Sequence, residues 1–498
     1  MPPIQLLYVA NQITGKAASS RQSLRFLLQV ENLDFHKQVE VLWAGEDGFW
    51  QSLPATFCGK LNHNQECWRA ALSLPPQART DLPGDIRFAV RLRCAGQEYW
   101  DNNEGADYFS GAGSGDRLHT NIPLLQIEPT RQLGDTQRSL PIKLAVDAAL
   151  NIDKVTIHWT TDNWQHSHKT VCRRQAQKKQ APSAGYAGLH SAQVWTGRLN
   201  IGEAFRVEYS IGCEGKDHTL WDNNHGRNFV LSRTPLKLMI LNLHCYQEDE
   251  QDRKFWQIAQ AIADLEVDVV CLQEVAEYWN NGHGDWPSNS ANIINKRLPR
   301  PFHIYSDWSH LGFDKFREGV AILSRYPLDE QEARYVSESW DVYSIHSRKV
   351  VAARIDVPHI GPINVFSAHL SWWEDGFQQQ FQRLSAWAES KHGPDTRATL
   401  LCGDFNIAAG STGYQLVVNS HEYEDQYLAA NAPALFDRIF RVNDPHWRDA
   451  FADDYRIDYI FMNKASGLQV GSARTVFTDL DYGRVSDHCG YLMTFEPR

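Results

Sequence analysis

Apolar residues change their spacing once along this chain, near position 236. Before that point they come in short alternating runs, such as Phe88-Ala89-Val90 and Phe205-Arg206-Val207, set apart by turn residues. A period of two is what a strand with one buried face requires. The runs also repeat. Residues 99–108 read Y-W-D-N-N-E-G-A-D-Y and residues 220–229 read L-W-D-N-N-H-G-R-N-F. Upstream, V-E-V-L-W at 39–43 is echoed by V-T-I-H-W at 155–159, each followed by an acidic residue and a further tryptophan, Trp50 or Trp164. The repeat predicts two β-sandwiches of about 90 residues each, at 1–110 and 138–231. Residues 111–137, rich in Gly, Ser, Asp and Pro, read as a linker between them. A polar stretch near 172–191 with Arg173, Arg174, Lys178 and Lys179 reads as a solvated loop within the second copy.

From 236 onward the runs are longer and less alternating. The run at 236–241 ends on Asn242, and the run at 267–272 ends on Gln273 and Glu274. Between them Phe255, Ile258, Ile262 and Leu265 recur at spacings of three and four, the inner face of a helix. Further strand-like runs stand at 320–323, 350–355, 363–367, 399–402, 457–462 and 491–495. For 236–498 the expectation is an α+β four-layer sandwich, two packed mixed β-sheets flanked by helices. The N-terminal half is expected to be all-β, two immunoglobulin-like β-sandwiches.

Composition narrows the function. The 498 residues are 42% hydrophobic and 22% charged, with 17 tryptophans, as suits globular domains rich in aromatic surface. A net charge of −11 disfavours general nucleic-acid binding, which draws on a basic surface, so nucleic acid is the less favoured partner. Nine cysteines without a C-x-x-C pair read as free thiols, several of them inside apolar runs. No run approaches the length of a membrane span and the N-terminus has no signal-peptide pattern, which makes a cytoplasmic location the expectation.

The second half concentrates chemistry at the ends of its apolar runs. L-N-L-H ends at His244, L-Q-E-V surrounds Glu274, S-A-H-L surrounds His369, G-D-F-N spans 403–406, R-I-D-Y-I-F surrounds Asp458, and S-D-H occupies 486–488. Hydrolysis of a phosphate ester needs a hard cation held by carboxylate and amide oxygens, and acid/base groups near neutral pKa. Asn242 and Glu274 end neighbouring strands and suit one Mg²⁺. Asp404 and Asn406 alternate along one backbone, Asp458 suits the orientation of a histidine, and Asp487 and His488 are consecutive. The order of these blocks resembles the endonuclease/exonuclease/phosphatase (deoxyribonuclease I-like) superfamily over 236–498. The resemblance implies metal binding by Asn242, Glu274 and Asp487, and phosphate contact or acid/base work by His369 and His488. It further implies water positioning by Asp404 and Asn406, and Asp458 as partner of His488. Glu318, in R-E-G-V, matches a supporting glutamate. Which histidine is acid and which is base is left open. The expected activity is Mg²⁺-dependent hydrolysis of phosphate mono- or diesters, with Mn²⁺ as the alternative ion. Aromatic residues in the connections, among them Trp279, Trp308, Trp340, Tyr343, Trp372 and Trp373, suit a substrate with a planar or apolar face.

A tryptophan beside amide side chains suits a sugar, the ring stacking on its apolar face while the amides bond hydroxyls. The repeat, with its V-x-V-x-W, acidic-Trp and W-D-N-N elements, looks like carbohydrate-binding module family 21. That resemblance implies glucan contacts at Trp50, Trp100 and Asn102 in the first copy, and at Trp164, Trp221 and Asn223 in the second. The expected partner is an α-glucan, glycogen or starch-like. The alternative is a nuclease or a nucleotide, inositol-phosphate or lipid phosphodiesterase whose modules serve only to localise it.

Overall fold

The computed structural model describes all residues except 1, 17–18, 62–63, 77, 79–80, 177–186, 217 and 432–455. Lys178 and Lys179 therefore lie outside the described residues. The chain divides into two units, Met1–Thr234 and Pro235–Arg498.

The first unit is all strand apart from a short turn of helix. Its first copy runs β1 (Ile4–Thr14), β2 (Arg21–Glu31), β3 (Lys37–Ala44), β4 (Trp50–Pro54), β5 (Thr56–Lys60) and β6 (Gln65–Ser73). It continues with β7 (Ile86–Cys94), β8 (Gln97–Asp101), β9 (Tyr108–Ser110) and β10 (Gly115–His119). The second copy follows with β11 (Leu124–Gln126), β12 (Leu140–Asp147), β13 (Ile152–Thr160), β14 (His168–Val171), β15 (Arg173–Arg174) and β16 (Leu189–Leu199). It closes with β17 (Arg206–Gly215), β18 (Thr219–Asp222) and β19 (Phe229–Ser232).

Two five-stranded sheets repeat one plan, β4-β3-β7-β8 with β9 also on β7, and β14-β13-β17-β18 with β19 also on β17. Their registers correspond. Trp100 faces Arg91, which faces Glu40; Trp221 faces Gly212, which faces Thr156. Alternation buries Val39, Val41, Trp43, Phe88 and Val90 in one core and Val155, Ile157, Trp159, Val207 and Tyr209 in the other. The opposite faces of both sheets carry the repeated tryptophans Trp100 and Trp221.

A nine-stranded sheet, in order β11-β12-β16-β10-β1-β2-β6-β5 with β15 on β16, backs both copies. Here the structure departs from the expected linker at 111–137, which carries β10 and β11. β10 pairs with β1 on one side and β16 on the other, sewing the two copies into one sheet. The segment is polar in sequence because its buried polar groups have partners. Asp116 accepts from the Tyr8 hydroxyl and, at 3.1 Å, from Gln12 Nε2. All nine cysteines are free thiols, eight of them buried.

The second unit runs β20 (Leu236–Asn242), α1 (Gln251–Asp264), β21 (Val269–Tyr278), α2 (Ser290–Arg297), β22 (His303–Gly312), β23 (Phe316–Ser324) and β24 (Asp329–Tyr335). It continues β25 (Lys349–Val357), β26 (Gly361–His369), α3 (Phe377–Lys391), β27 (Ala398–Asp404), α4 (Thr412–Val418) and β28 (Tyr423–Asp425). Its last elements are α5 (Gln426–Ala430), β29 (Asp458–Asn463), β30 (Leu468–Val476) and β31 (Gly490–Pro497). Two six-stranded sheets form, β22-β23-β21-β20-β31-β30 and β24-β25-β26-β27-β29-β28. Each is mixed, with β20–β21 and β26–β27 parallel. Helix α1 buries Phe255, Ile258 and Ile262 against the first sheet, and α3 buries Phe377, Phe381 and Leu384 against the second. The facing surfaces of the sheets meet where Gln273 Nε2 donates to Ser367 Oγ at 3.1 Å. No helix among the described residues is long and apolar enough to cross a membrane.

Candidate active site

Strand ends deliver the site. The parallel pairing of β26 with β27 sets His369 opposite Asp404, and the antiparallel pairing of β27 with β29 sets Asp404 opposite Asp458. These three residues form one row across the second sheet. From the first sheet come Asn242 at the end of β20 and Glu274, which sits at an irregularity of β21 with a left-handed φ of 50°. Asp487 and His488 precede β31. Asn406 follows Asp404 by two residues, also left-handed at φ 51°.

Asp404 is the centre. Its Oδ2 accepts from Asn242 Nδ2 at 3.1 Å and lies 3.7 Å from His369 Nε2 and 3.8 Å from His488 Nε2. Its Oδ1 accepts the Asn406 backbone N–H at 2.9 Å. Asn242 Nδ2 also donates to Glu274 Oε1 at 2.8 Å, so one amide bridges the carboxylates of the two sheets. Asp458 Oδ2 bonds His488 Nδ1 at 2.8 Å, which turns Nε2 of that ring toward Asp404 and Asp487. Asn406 Nδ2 is held by the Leu370 carbonyl at 2.9 Å. Glu318 lies 3.4 Å from His310 Nε2 and adds its negative field to that of Glu274.

The electrostatics follow from crowding. Burial, then Glu318 and Asp487, push the Glu274 carboxyl up to about 7. Burial and Asp458 push Asp404 to about 7 as well. Burial opposes the His488 imidazolium, yet Asp458, Asp487 and Asp404 overcome it and raise its pKa well above the ordinary value. His369 is driven the other way, by burial, Arg348 and His310, and is neutral. One histidine charged and one neutral, both aimed at one carboxylate, is an arrangement that can give one proton and take another.

The donor set fits a divalent cation. Ligand atoms of Glu274, His369 and Asp404 lie within 4.8 Å of one another, as do those of Asp404, Asp458 and His488. Asp458 Oδ1 is buried without a hydrogen-bond partner among the described residues. Carboxylates raised by burial and by neighbouring carboxylates are the kind of site a cation relieves.

Three groups escaped sequence reasoning. Arg348, just ahead of β25, is half-buried, with its Nε 3.4 Å from Ser371 Oγ, and it feels Glu318, Asp404 and Glu274. His310 faces Glu318. His244 Nδ1 bonds Glu248 at 2.7 Å and lies 3.7 Å from Asp487, while Lys254 bonds the other oxygen of Glu248. Only the His244 motif had a signal in the sequence, as the last residue of L-N-L-H. Arg348 stands beside Lys349 as an ordinary basic pair at the start of an apolar run, and its place at the site is visible only once β25 is placed beside β26.

Comparison with known proteins matches residues 239–488, half of the chain, to the Endonuclease/Exonuclease/phosphatase family. The chain belongs to that family. Residues 10–110 match the carbohydrate/starch-binding module of family 21. The uncharacterized protein YbhP of Escherichia coli (strain K12) is 29% identical over 244 residues, 47% of this chain and 84% of that protein. Protein phosphatase 1 regulatory subunit 3E of Mus musculus is 39% identical over 83 residues, 16% of this chain and 28% of that protein. Among solved structures, an endonuclease/exonuclease/phosphatase family protein from Leptotrichia buccalis C-1013-b is 25% identical, covering 52% of this chain and 99% of that one at a TM-score of 0.46.

In the first unit of this family member, the four expected sugar-facing tryptophans are exposed: Trp50 at 51%, Trp100 at 44%, Trp164 at 39% and Trp221 at 53%. Trp221 lies over Gly212 with the His158 ring 5.0 Å away, and Trp164 Nε1 donates to Glu208 at 2.7 Å. Trp100 Nε1 donates to Glu98 at 2.7 Å. Asn102 and Asn223 each close their turn by accepting the N–H of Gly105 or Gly226 at 3.0 Å. Neither amide nitrogen has a hydrogen-bond partner among the described residues.

Proposed function

We propose that the chain is a divalent-metal-dependent hydrolase of phosphate mono- or diesters, Mg²⁺ being the ion that suits its oxygen donors, and that two carbohydrate-binding modules hold it on an α-glucan of the glycogen or starch kind. The observation that carries the reading is the pair of histidines around Asp404, one charged and one neutral, in a buried pocket of carboxylates. Glu274 and Asp487, braced by Asn242, would hold the cation, which supplies charge neutralisation at the phosphoryl oxygens. His488, kept protonated by Asp458, donates to the ester's oxygen. Asp404, steadied by the Asn406 N–H, orients and accepts a proton from the attacking water, with neutral His369 beside it. Arg348 meets a nonbridging oxygen with its free guanidinium nitrogens. Exposed Trp50 and Trp100 in the first copy, and Trp164 and Trp221 in the second, support the glucan part of the reading, as does the family-21 match of the first copy. The α+β four-layer architecture and the immunoglobulin-like character of the two sandwiches belong to the same reading. So does a cytoplasmic location, supported by nine free thiols.

The test pairs two assays. Hydrolysis of aryl phosphate mono- and diesters is followed with Mg²⁺ and with chelator, in the intact chain and in Glu274→Gln. Co-sedimentation with glycogen compares the intact chain with a Trp100→Ala, Trp221→Ala double variant. Metal-dependent turnover lost in Glu274→Gln, with pelleting lost in the double variant, is the expected pair. Turnover that survives chelation sinks the metal-site reading. Absence of pelleting by the intact chain returns the substrate to nucleotides, inositol phosphates or lipids.

A further inference from the structure

The two copies share one register, and this allows their outer faces to be compared position by position. Arg87 on β7 occupies the place of Glu208 on β17, since Phe88 pairs with Tyr108 as Tyr209 pairs with Phe229. Arg91 occupies the place of Gly212. In the second copy the carboxylate of Glu208 is consumed internally, accepting from Trp164 Nε1 and from Asn228 Nδ2, each at 2.7 Å. In the first copy the corresponding residue is a cation without an ion-pair partner among the described residues. The exposed side chain of Arg87 makes no hydrogen bond, ion pair or ring contact among the described residues.

Its neighbours do not neutralise it. Arg91 is bound to Glu40 at 2.7 Å and stacks on Trp100 at 5.0 Å, and Arg93 is bound to Glu98 at 2.9 Å. Two arginines and two glutamates thus pair with one another on the same face, and Arg87 is left without an ion-pair partner among the described residues. Nearby Asp85 accepts the Ala112 N–H at 2.6 Å and Glu46 accepts the Asp85 N–H at 3.1 Å, and neither carboxylate forms an ion pair with Arg87. Arg87 and Trp50 flank Ala44 from either side, one on β7 and one on β4. Two strand spacings put their backbones about 10 Å apart, and the small, buried Ala44 between them leaves a shallow floor. Four residues further along β7, about 13 Å, stands Trp100 opposite Arg91, with buried Ala89 between the two rows.

We infer that the first copy takes a phosphorylated α-glucan: sugar rings stack on Trp50 and Trp100, and the Arg87 guanidinium receives a phosphate monoester carried by the glucan. Planar, always charged and able to bond two phosphate oxygens at once, arginine is the side chain suited to that anion. The second copy, with a carboxylate at the same place, takes the neutral polymer. The inference rests on the glucan-binding reading above and names the kind of glucan.

Equilibrium binding tests it. The full chain is titrated in chelator with maltoheptaose and with maltoheptaose bearing one 6-phosphate, and the Arg87→Ala variant is titrated alongside. Chelator prevents turnover, and any phosphate contact elsewhere is common to both proteins. The expected result is a preference of roughly tenfold for the phosphorylated ligand, one charge-assisted contact's worth, that weakens with salt and disappears in Arg87→Ala. Binding of maltoheptaose itself stays within about twofold in the variant, which also shows that the fold is intact. Equal binding of the two ligands by the intact chain, or a preference undiminished in Arg87→Ala, overturns the inference and leaves the glucan reading standing. Failure of the intact chain to bind either ligand overturns both.

Discussion

His488 is charged because Asp458 holds it, and the two residues can be separated experimentally. Asp458→Asn keeps the size of the side chain and removes the charge that stabilises the imidazolium. If His488 supplies the proton to the ester oxygen, kcat falls by roughly 10²–10⁴ while KM moves little. The limb of the pH profile assigned to the protonated histidine shifts downward. An unchanged profile would reduce Asp458 to a packing residue. Arg348 makes a different prediction. With one long hydrogen bond and no ion pair among the described residues, its removal in Arg348→Ala costs catalysis of the order of 10²-fold, and Arg348→Lys restores only part, because a point charge lacks the fork. Full recovery in the lysine variant would argue for bulk charge alone. At this scale the polar residues at strand ends were legible, since an apolar run that stops on Glu, His or Asp has few structural reasons to do so. Arg348 was not, because a cation ahead of a strand is ordinary in sequence and acquires meaning only from the strand beside it.

At the scale of elements, the G-D-F-N segment shows what a pattern of residues leaves unsaid. Gly403 has φ +133°, and a Cβ there would stand 2.1 Å from the Ala368 carbonyl oxygen and 2.8 Å from Gln273 Nε2. The glycine lets β27 close on β26 and on the opposite sheet while Asp404 enters the site. Gly403→Ala therefore destabilises the second unit by about 3 kcal/mol, read as a lowered urea midpoint, and activity falls with it. A midpoint within error of the intact chain would mean that the strands separate at little cost. The sequence pattern showed that β27 exists, as the run 399–402, and stopped two residues short of its end at Asp404. It could not show the left-handed Glu274 and Asn406, which re-aim their side chains at irregular positions. The same limit explains β10. Its Asp116 and Arg117 look solvated in sequence yet are buried, and a buried polar residue with partners cannot be told from a surface one until the partners are known.

For the chain as a whole, the crowded carboxylates tie stability to pH and to cation together. Glu274 and Asp404 have folded pKa values of about 7, above the 4.5 and 3.8 of the free side chains. Folding therefore favours their protonated forms. The stability they contribute is complete below those lower values and is lost as pH rises through about 7. His488, also raised, acts in the same direction, its contribution being lost as pH climbs past its elevated pKa. Without cation, the unfolding transition of Pro235–Arg498 should fall steadily between about pH 5 and about pH 8. A divalent cation competes with those protons, so millimolar Mg²⁺ should raise the transition more at the upper end of that range than at the lower. Two units make two transitions the natural expectation, and the relevant one is identified by its response to Glu274→Gln. That variant removes a repelling charge. It should be more stable than the intact chain in chelator above pH 7, have a shallower pH dependence, and respond little to Mg²⁺. A site assembled for stability would lose by the same substitution; a site whose like charges are held together only by a cation gains. A flat pH profile, or a Glu274→Gln variant less stable in chelator and as responsive to Mg²⁺ as the parent, would show that these carboxylates are not the cation's seat.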